Sequence, residues 1–171
     1  HALFARGATP LGRVYTSESQ LPSPNAVEVL DHERASSVIE TASAIGLSQC
    51  YCRHKMAHVG KACDAPSNIC LTFNTSASTL IRHGHAEQIS TQQALEVLHQ
   101  ARAHHLVQFG ENVRHNVNFI CNCCKCCCEG MLAAQRFAMY HPVATTNYIP
   151  VVDIETCSIC GQCMEICPVA A

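Results

Sequence analysis

Apolar residues recur at a helical spacing in the first half of the chain. A helix is predicted from Asp31, which can cap it, to Gly46, which favours a helix end. Residues 76–83 predict a second, shorter helix, because Gly84 follows directly. The apolar stripe of the first helix consists of Ala35, Val38, Ile39, Ala42 and Ile45.

Two further helices are predicted in the second half. Residues 90–106 carry the firmest helical pattern, since Ser90 and Gln93 stand three positions apart in a capping box ahead of a regular apolar face. Residues 130–140 form the last predicted helix, which His141 and Pro142 end.

Short apolar runs outside these helices predict strands. They lie at Arg13–Tyr15, Val27–Leu30, Val117–Ile120 and Ile149–Asp153. Helices and strands that do not alternate regularly along the chain predict an α+β fold.

Charge is scarce and limits the classes of partner. Charged residues make up 14% of the 171 residues, against roughly 25% in typical domains. The formal net charge of −2 argues against nucleic acid as a ligand. No apolar run is long enough for a transmembrane segment. We therefore expect a protein of the cytoplasm with part of its surface covered by a partner.

Cysteine is the most informative residue type, with 14 copies in three packets. The third packet has the spacing C-x2-C-x2-C-x3-C-P of bacterial ferredoxins, in which thiolates hold iron–sulfur clusters. Packets with adjacent cysteines suit metal centres in a reducing compartment better than a disulfide scaffold in an oxidising one. The expected ligands in the third packet are Cys157, Cys160, Cys163 and Cys167, with Pro168 following.

The first packet offers four thiolates, the number that an iron–sulfur cube requires. Zinc and unligated thiols are the alternatives. Arg53, Lys55 and Lys61 place positive charge nearby, and His54 and His58 are further ligand or hydrogen-bond candidates. The cysteines of this packet are Cys50, Cys52, Cys63 and Cys70.

The second packet has too many cysteines for one cube. In an extended segment alternate side chains point to opposite sides, which would group Cys121, Cys123 and Cys127 against the other three. In a helix, Cys123, Cys126 and Cys127 would share a face instead. Either arrangement gives two ligand surfaces, with Lys125 near the metal. The packet comprises Cys121, Cys123, Cys124, Cys126, Cys127 and Cys128.

Counting ligands predicts two to four 4Fe–4S clusters, because 14 cysteines at four per cube complete at most three and an incomplete set can share another. The expected fold is a small Cys-rich iron–sulfur fold with several helices and a C-terminal ferredoxin-like segment that is incomplete, because no second cysteine run follows. The predicted parts are an extended N-terminal arm (1–30), a helical Cys-rich cluster-binding domain (31–148) and the truncated ferredoxin-like segment (149–171).

Residues 149–168 resemble dicluster bacterial-type ferredoxins. Residues 50–70 (CYCRHK…GKACDAP…C), the helix from Ser90 and residues 120–128 (ICNCCKCCC) resemble a group of 4Fe–4S binding proteins of anaerobes. The resemblance implies an iron–sulfur subunit that serves a larger oxidoreductase and exchanges electrons with redox partner proteins.

Three function classes follow from this chemistry. The leading one is a non-catalytic electron-transfer subunit, for which we assign no catalytic residue. The second is a reductive enzyme or activator with a substrate-accessible cluster iron. The third is an iron–sulfur redox sensor, which the near-neutral charge disfavours if its partner is DNA.

Overall fold

The computed structural model describes residues 10, 12–21, 33–136, 143–144 and 151–168. The predicted strand Val27–Leu30, most of the predicted N-terminal arm and the end of the predicted helix 130–140 lie outside these residues. In the described part, no helix is both long and apolar enough to cross a membrane.

A seven-stranded sheet forms the centre of the described structure, in the order β4-β2-β3-β6-β5-β1-β7. Adjacent strands are antiparallel, except that β7 lies parallel to β1 at one edge. The strands are β1 (Gly12–Val14), β2 (Ile45–Gln49), β3 (Asn68–Phe73), β4 (Glu87–Gln88), β5 (Val107–Glu111), β6 (Phe119–Cys123) and β7 (Val143–Ala144).

Six α-helices accompany the sheet in the described residues, which confirms the α+β class. The capping box predicted for the longest helix is present: Ser90 Oγ accepts from the Gln93 N–H, and Gln93 Oε1 accepts from the Ser90 N–H. The helices are α1 (Ala35–Thr41), α2 (Tyr51–His58), α3 (Asn74–Arg82), α4 (Thr91–Ala103), α5 (Glu129–Arg136) and α6 (Gln162–Ile166).

The predicted helix 31–46 is too long, because it ends at Thr41 and Ile45 already belongs to β2. Asn74 explains the early end: its Oδ1 accepts from the main-chain N–H and the hydroxyl of Ser43, at 3.0 and 3.1 Å, and turns the chain toward the sheet. Sheet pairing then outweighs the helical spacing of Ile45.

Two other sequence predictions also need correction. The range 31–148 is not simply helical, since the six strands β2–β7 lie within it. The predicted strand 149–153 is absent at residues 151–153, which carry no regular structure. Within the predicted arm, residues 12–14 pair with β5 as part of the sheet.

The two faces of the sheet carry different cores. On one face, alternate residues of β3 (Ile69, Leu71 and Phe73) pack with the buried sides of α1 and α4. The other face carries a smaller core of Phe109, Cys123, Cys128 and Met131. The first core is mainly aliphatic but also contains Cys124 and Cys127, whereas the second combines two cysteines with Phe109 and Met131.

Gly12 allows the smaller core to form. A Cβ at this position would lie 2.1 Å from Cζ of Phe109, which packs across β1. The missing side chain lets the Phe109 ring lie over the strand and reach the sulfur-rich side of the sheet.

Candidate metal centre

The structure gathers ten of the cysteines into two neighbouring groups and leaves the ferredoxin-spaced four apart. Both the first and the second sequence packet divide between the groups. We call the larger group the six-thiol ring, which comprises Cys50, Cys52, Cys70, Cys121, Cys123 and Cys128. We call the smaller one the four-thiol group, which comprises Cys63, Cys124, Cys126 and Cys127.

The six-thiol ring is closed by sulfur–sulfur contacts between successive members. The Sγ atoms of Cys123 and Cys128 lie 3.0 Å apart. The order of contact around the ring is Cys50, Cys52, Cys128, Cys123, Cys121, Cys70 and back to Cys50.

Strand geometry and two helix starts position the ring. Cys121 and Cys123 are two residues apart on β6 and therefore point to the same face, as Cys70 does from the adjacent strand β3. Cys50 and Cys52 flank the first residue of α2, and Cys128 directly precedes α5. The chain thus approaches one place from two strands and two helices.

A cavity of about 310 Å³ lies against this ring. All six ring cysteines contribute to its wall, together with Cys124 and the rings of Phe109 and Phe119. A sulfur-only donor set in apolar surroundings suits soft metals such as copper(I), zinc and iron–sulfur clusters. This is the largest concentration of ligand atoms in the described residues.

Lowered and raised pKa values alternate from one cysteine to the next around the ring. Hydrogen bonds with Cys52 and Cys70 lower the pKa of Cys50 to about 2, and those with Cys123 and Cys52 lower the pKa of Cys128 to about 3. The pKa of Cys121 is lowered in the same way by Cys123 and Cys70. Hydrogen bonds with these thiolates raise the pKa values of the intervening thiols, Cys52, Cys70 and Cys123.

The starts of two eight-residue helices direct main-chain amides at the ring. The N–H of Arg53, in the first turn of α2, hydrogen-bonds the sulfur of Cys50. The N–H groups of Met131 and Gly130, in the first turn of α5, do the same for Cys128. Helix N-termini carry partial positive charge, so this arrangement stabilises an anionic metal–thiolate centre.

The four-thiol group is more compact. Its four Sγ atoms all lie within 4.8 Å of one another, with 3.7 Å between Cys126 and Cys127 and 3.8 Å between Cys127 and Cys63. Cys63 comes from the loop between α2 and β3, and the other three from the turn between β6 and α5. No other set of three or more His, Cys, Asp or Glu residues in the described ranges converges so closely.

The pKa of Cys63 falls to about 7, although burial alone would raise it. Hydrogen bonds from the Ala65 N–H and with the three neighbouring thiols outweigh that burial. Burial raises the pKa values of Cys126 and Cys127. The group is a candidate metal site, because its four sulfur atoms converge within 4.8 Å of one another.

Arg53 lies between the two groups with only 2% of its surface exposed. Its Nη1 donates to the Pro66 carbonyl and its Nη2 to the Asn122 carbonyl, each at 2.8 Å. Burial lowers the pKa of its guanidinium, but the thiolates of Cys50, Cys124 and Cys63 together raise it. The predicted cation beside the first packet is therefore shared by both groups.

The other predicted polar residues lie at the rim. Lys55 forms an ion pair with Glu129, which joins α2 to α5 beside the ring. His54 and His58 are exposed and contact each other, with 3.1 Å between their Nε2 atoms. Lys125 is exposed in the turn between Cys124 and Cys126, and its Nζ donates to the Glu165 carbonyl.

The ferredoxin-spaced segment is a surface loop. Cys157, Cys160 and Cys163 are exposed and Cys167 is half-buried. Gly161 adopts a left-handed conformation (φ 77°), which glycine accepts readily, between the second and third cysteines. Gln135 Nε2 donates to the Lys125 and Pro168 carbonyls at 2.9 and 2.8 Å, so the end of this loop contacts the turn of the four-thiol group.

The sequence predicted two ligand surfaces in the second packet, and the structure has two, with a different division. Alternation holds for Cys121 and Cys123 but fails beyond them, because β6 ends at Cys123 and residues 125–127 form a turn. Consequently Cys128 joins the ring and Cys127 the four-thiol group, the reverse of an extended segment.

No protein-family model, curated protein or solved structure matches the chain. The resemblance to 4Fe–4S binding proteins remains a prediction from the quoted motifs. The arguments that follow therefore depend on the geometry of the cysteines.

Proposed function

We infer that the chain is an iron–sulfur electron-transfer protein, or such a subunit of a larger oxidoreductase system. The observation that supports this most is the six-thiol ring around a cavity of about 310 Å³. A cavity lined by six cysteines has room for a polynuclear centre, and iron with inorganic sulfide is the common one with cysteine ligands.

The surroundings of the ring suit a redox centre. Three N–H donors from helix starts and the buried Arg53 offset negative charge on bound thiolates. Hydrogen bonds to sulfur and nearby cations are among the factors that set cluster potentials. In this proposal Arg53 stabilises the more negative, reduced form and so raises the potential.

The exposed ferredoxin-spaced loop suits the exchange of electrons with a partner. Cys157, Cys160 and Cys163 lie at the surface, while the loop's far end reaches the turn at Lys125 through Gln135. A cluster held there would lie between solvent and the buried thiol groups. Redox partner proteins are accordingly proposed as its electron donor or acceptor.

Anaerobic purification followed by iron and acid-labile sulfide analysis tests this function. We expect both elements, together with an EPR signal that appears on reduction with dithionite and disappears on reoxidation. Two variants, Cys128→Ser in the ring and Cys160→Ser in the loop, should each remove a different part of the signal. A colourless protein without iron and sulfide would refute the proposal.

A reductive enzyme is the second candidate, because residues at the wall of the cavity are exposed. Gln49 and Tyr51 both line it and both lie at the surface, so small molecules have a route to the ring. An EPR spectrum of the reduced protein that changes on adding cyanide would favour this candidate. An unchanged spectrum would favour a pure electron carrier.

A further inference from the structure

The four-thiol group has the dimensions of a site for one metal ion. Four sulfurs bound tetrahedrally to one zinc, each at about 2.3 Å, lie about 3.8 Å from one another. The Cys126–Cys127 and Cys127–Cys63 separations are 3.7 and 3.8 Å, and all four sulfurs lie within 4.8 Å of one another.

An iron–sulfur cube fits this group poorly. In a cube each thiolate binds a different iron, so the four sulfurs must spread around the whole cluster. The six sulfurs of the six-thiol ring, by contrast, line a cavity of about 310 Å³. Those of the four-thiol group converge on one point.

We propose that the four-thiol group is a structural site for a single Zn²⁺ ion, independent of the proposed electron-transfer role. Zinc is the ion that tetrahedral sites of four sulfurs commonly select, and a closed set of four protein ligands is typical of structural rather than catalytic zinc. The ligands are Cys63, Cys124, Cys126 and Cys127.

The charge around the group suits this ion. One Zn²⁺ with four thiolates carries a net charge of about −2 by simple addition. The guanidinium of Arg53 hydrogen-bonds the sulfur of Cys63 and attracts that of Cys124. The N–H groups of Ala65 and Cys63 donate to the sulfurs of Cys63 and Cys127, respectively.

The position of the group explains why an ion would be useful there. Cys63 lies in a loop without regular structure, more than 60 residues before the turn that carries the other three ligands. An ion bound by both would fix the loop to the turn. That turn follows β6, which carries Cys121 and Cys123 of the six-thiol ring, and leads to Cys128 directly before α5.

Zinc analysis of the whole protein tests this proposal without any variant. The protein is purified anaerobically and then reconstituted with iron and sulfide in the presence of zinc. We expect one zinc per chain, whose X-ray absorption spectrum shows four sulfur neighbours at about 2.3 Å and no neighbouring metal. Absence of zinc, a single iron in its place, or a metal neighbour beside the zinc would overturn the proposal.

A pair of matched variants assigns the ion to its ligands. Cys126→Ser changes an exposed member of the group and should lose the zinc while keeping iron and sulfide. Cys160→Ser, also exposed, should keep the zinc and lose the loop's share of iron and sulfide. Loss of sulfide by Cys126→Ser would overturn the single-ion site. If the wild-type protein contains zinc but neither iron nor sulfide, the electron-transfer proposal fails and the zinc site stands.

Discussion

Arg53 donates a hydrogen bond from its Nη2 to the main-chain oxygen of Asn122, at 2.8 Å. Asn122 stands between Cys121 and Cys123 on β6, and its own Nδ2 donates to the Ile69 carbonyl at 2.7 Å. The bond therefore connects α2, which carries Cys52, to the strand that carries two other members of the six-thiol ring. The buried Arg53 guanidinium therefore both positions the two elements and offsets negative charge on the nearby sulfurs.

Replacing Arg53 with methionine should destabilise the metal-loaded protein by about 3 kcal/mol, because buried polar partners lose their donor and nearby thiolates lose their counter-charge. Thermal or denaturant unfolding measures this loss. Arg53→Lys is the matched control, since it keeps the charge but not the forked geometry. The midpoint potential should fall in Arg53→Met and stay closer to wild type in Arg53→Lys; equal potentials in all three proteins would contradict the role of its charge.

The ring and the ferredoxin-spaced loop should respond differently to loss of a ligand. Cys123→Ala should lower both cluster content and the free energy of unfolding, because Cys123 is buried in the core and binding of the proposed cluster would be coupled to folding. Cys160→Ala should lose the loop's EPR signal with little change in unfolding, because Cys160 is exposed. A Cys160→Ala protein with unchanged iron content would show that this cysteine is not a ligand.

Ionisation of the Tyr15 phenol should lower the free energy of unfolding above about pH 10. Burial, its largest cause, raises the pKa of the Tyr15 phenol to about 12 in the folded state. Since an unfolded phenol loses its proton near pH 10, stability is full below pH 10 and decreases up to about pH 12, by roughly 2–3 kcal/mol in total.

Tyr15→Phe isolates this effect from the cysteines, which titrate in both proteins. Unfolding free energies measured from pH 8 to 11 should show wild type losing stability relative to the variant above about pH 10. At neutral pH the two should be similar, because the Tyr15 hydroxyl is buried without a hydrogen-bond partner in the described structure. Parallel profiles over the whole range would argue against a buried phenol.

The capping box of α4 should contribute to the stability of the protein but not to its metal content. Ser90→Ala should lower the free energy of unfolding by about 1 kcal/mol, because the Gln93 N–H loses its acceptor. Ser90→Asp retains a cap and serves as the control. Metal content should be the same in all three proteins, since the capping box lies at the exposed start of α4.

Local signals in the sequence predicted some elements well. The cap at Ser90 and the stop at Gly84 marked helix ends, and the apolar run before Cys121 marked β6. Ile45 was misassigned because its spacing matches a helix, whereas its partner Phe73, 28 residues later, pairs with it in the sheet. Such pairing depends on distant residues and is not visible in a local pattern.

The cysteines show the same division between local and distant information. Their spacing identified all three packets and a metal-binding chemistry, but it did not predict that Cys63 leaves its packet to join three cysteines more than 60 residues later. The turn that follows β6 determines which sulfur belongs to which group. The sequence shows only that there are enough thiols for several centres.

A Mössbauer spectrum of the anaerobically purified, isotope-labelled protein tests the central claim most directly, together with its acid-labile sulfide content. We predict spin-coupled, sulfide-bridged iron, part of which is lost in Cys128→Ser. A protein that holds no iron, or only isolated iron ions without inorganic sulfide, would contradict it.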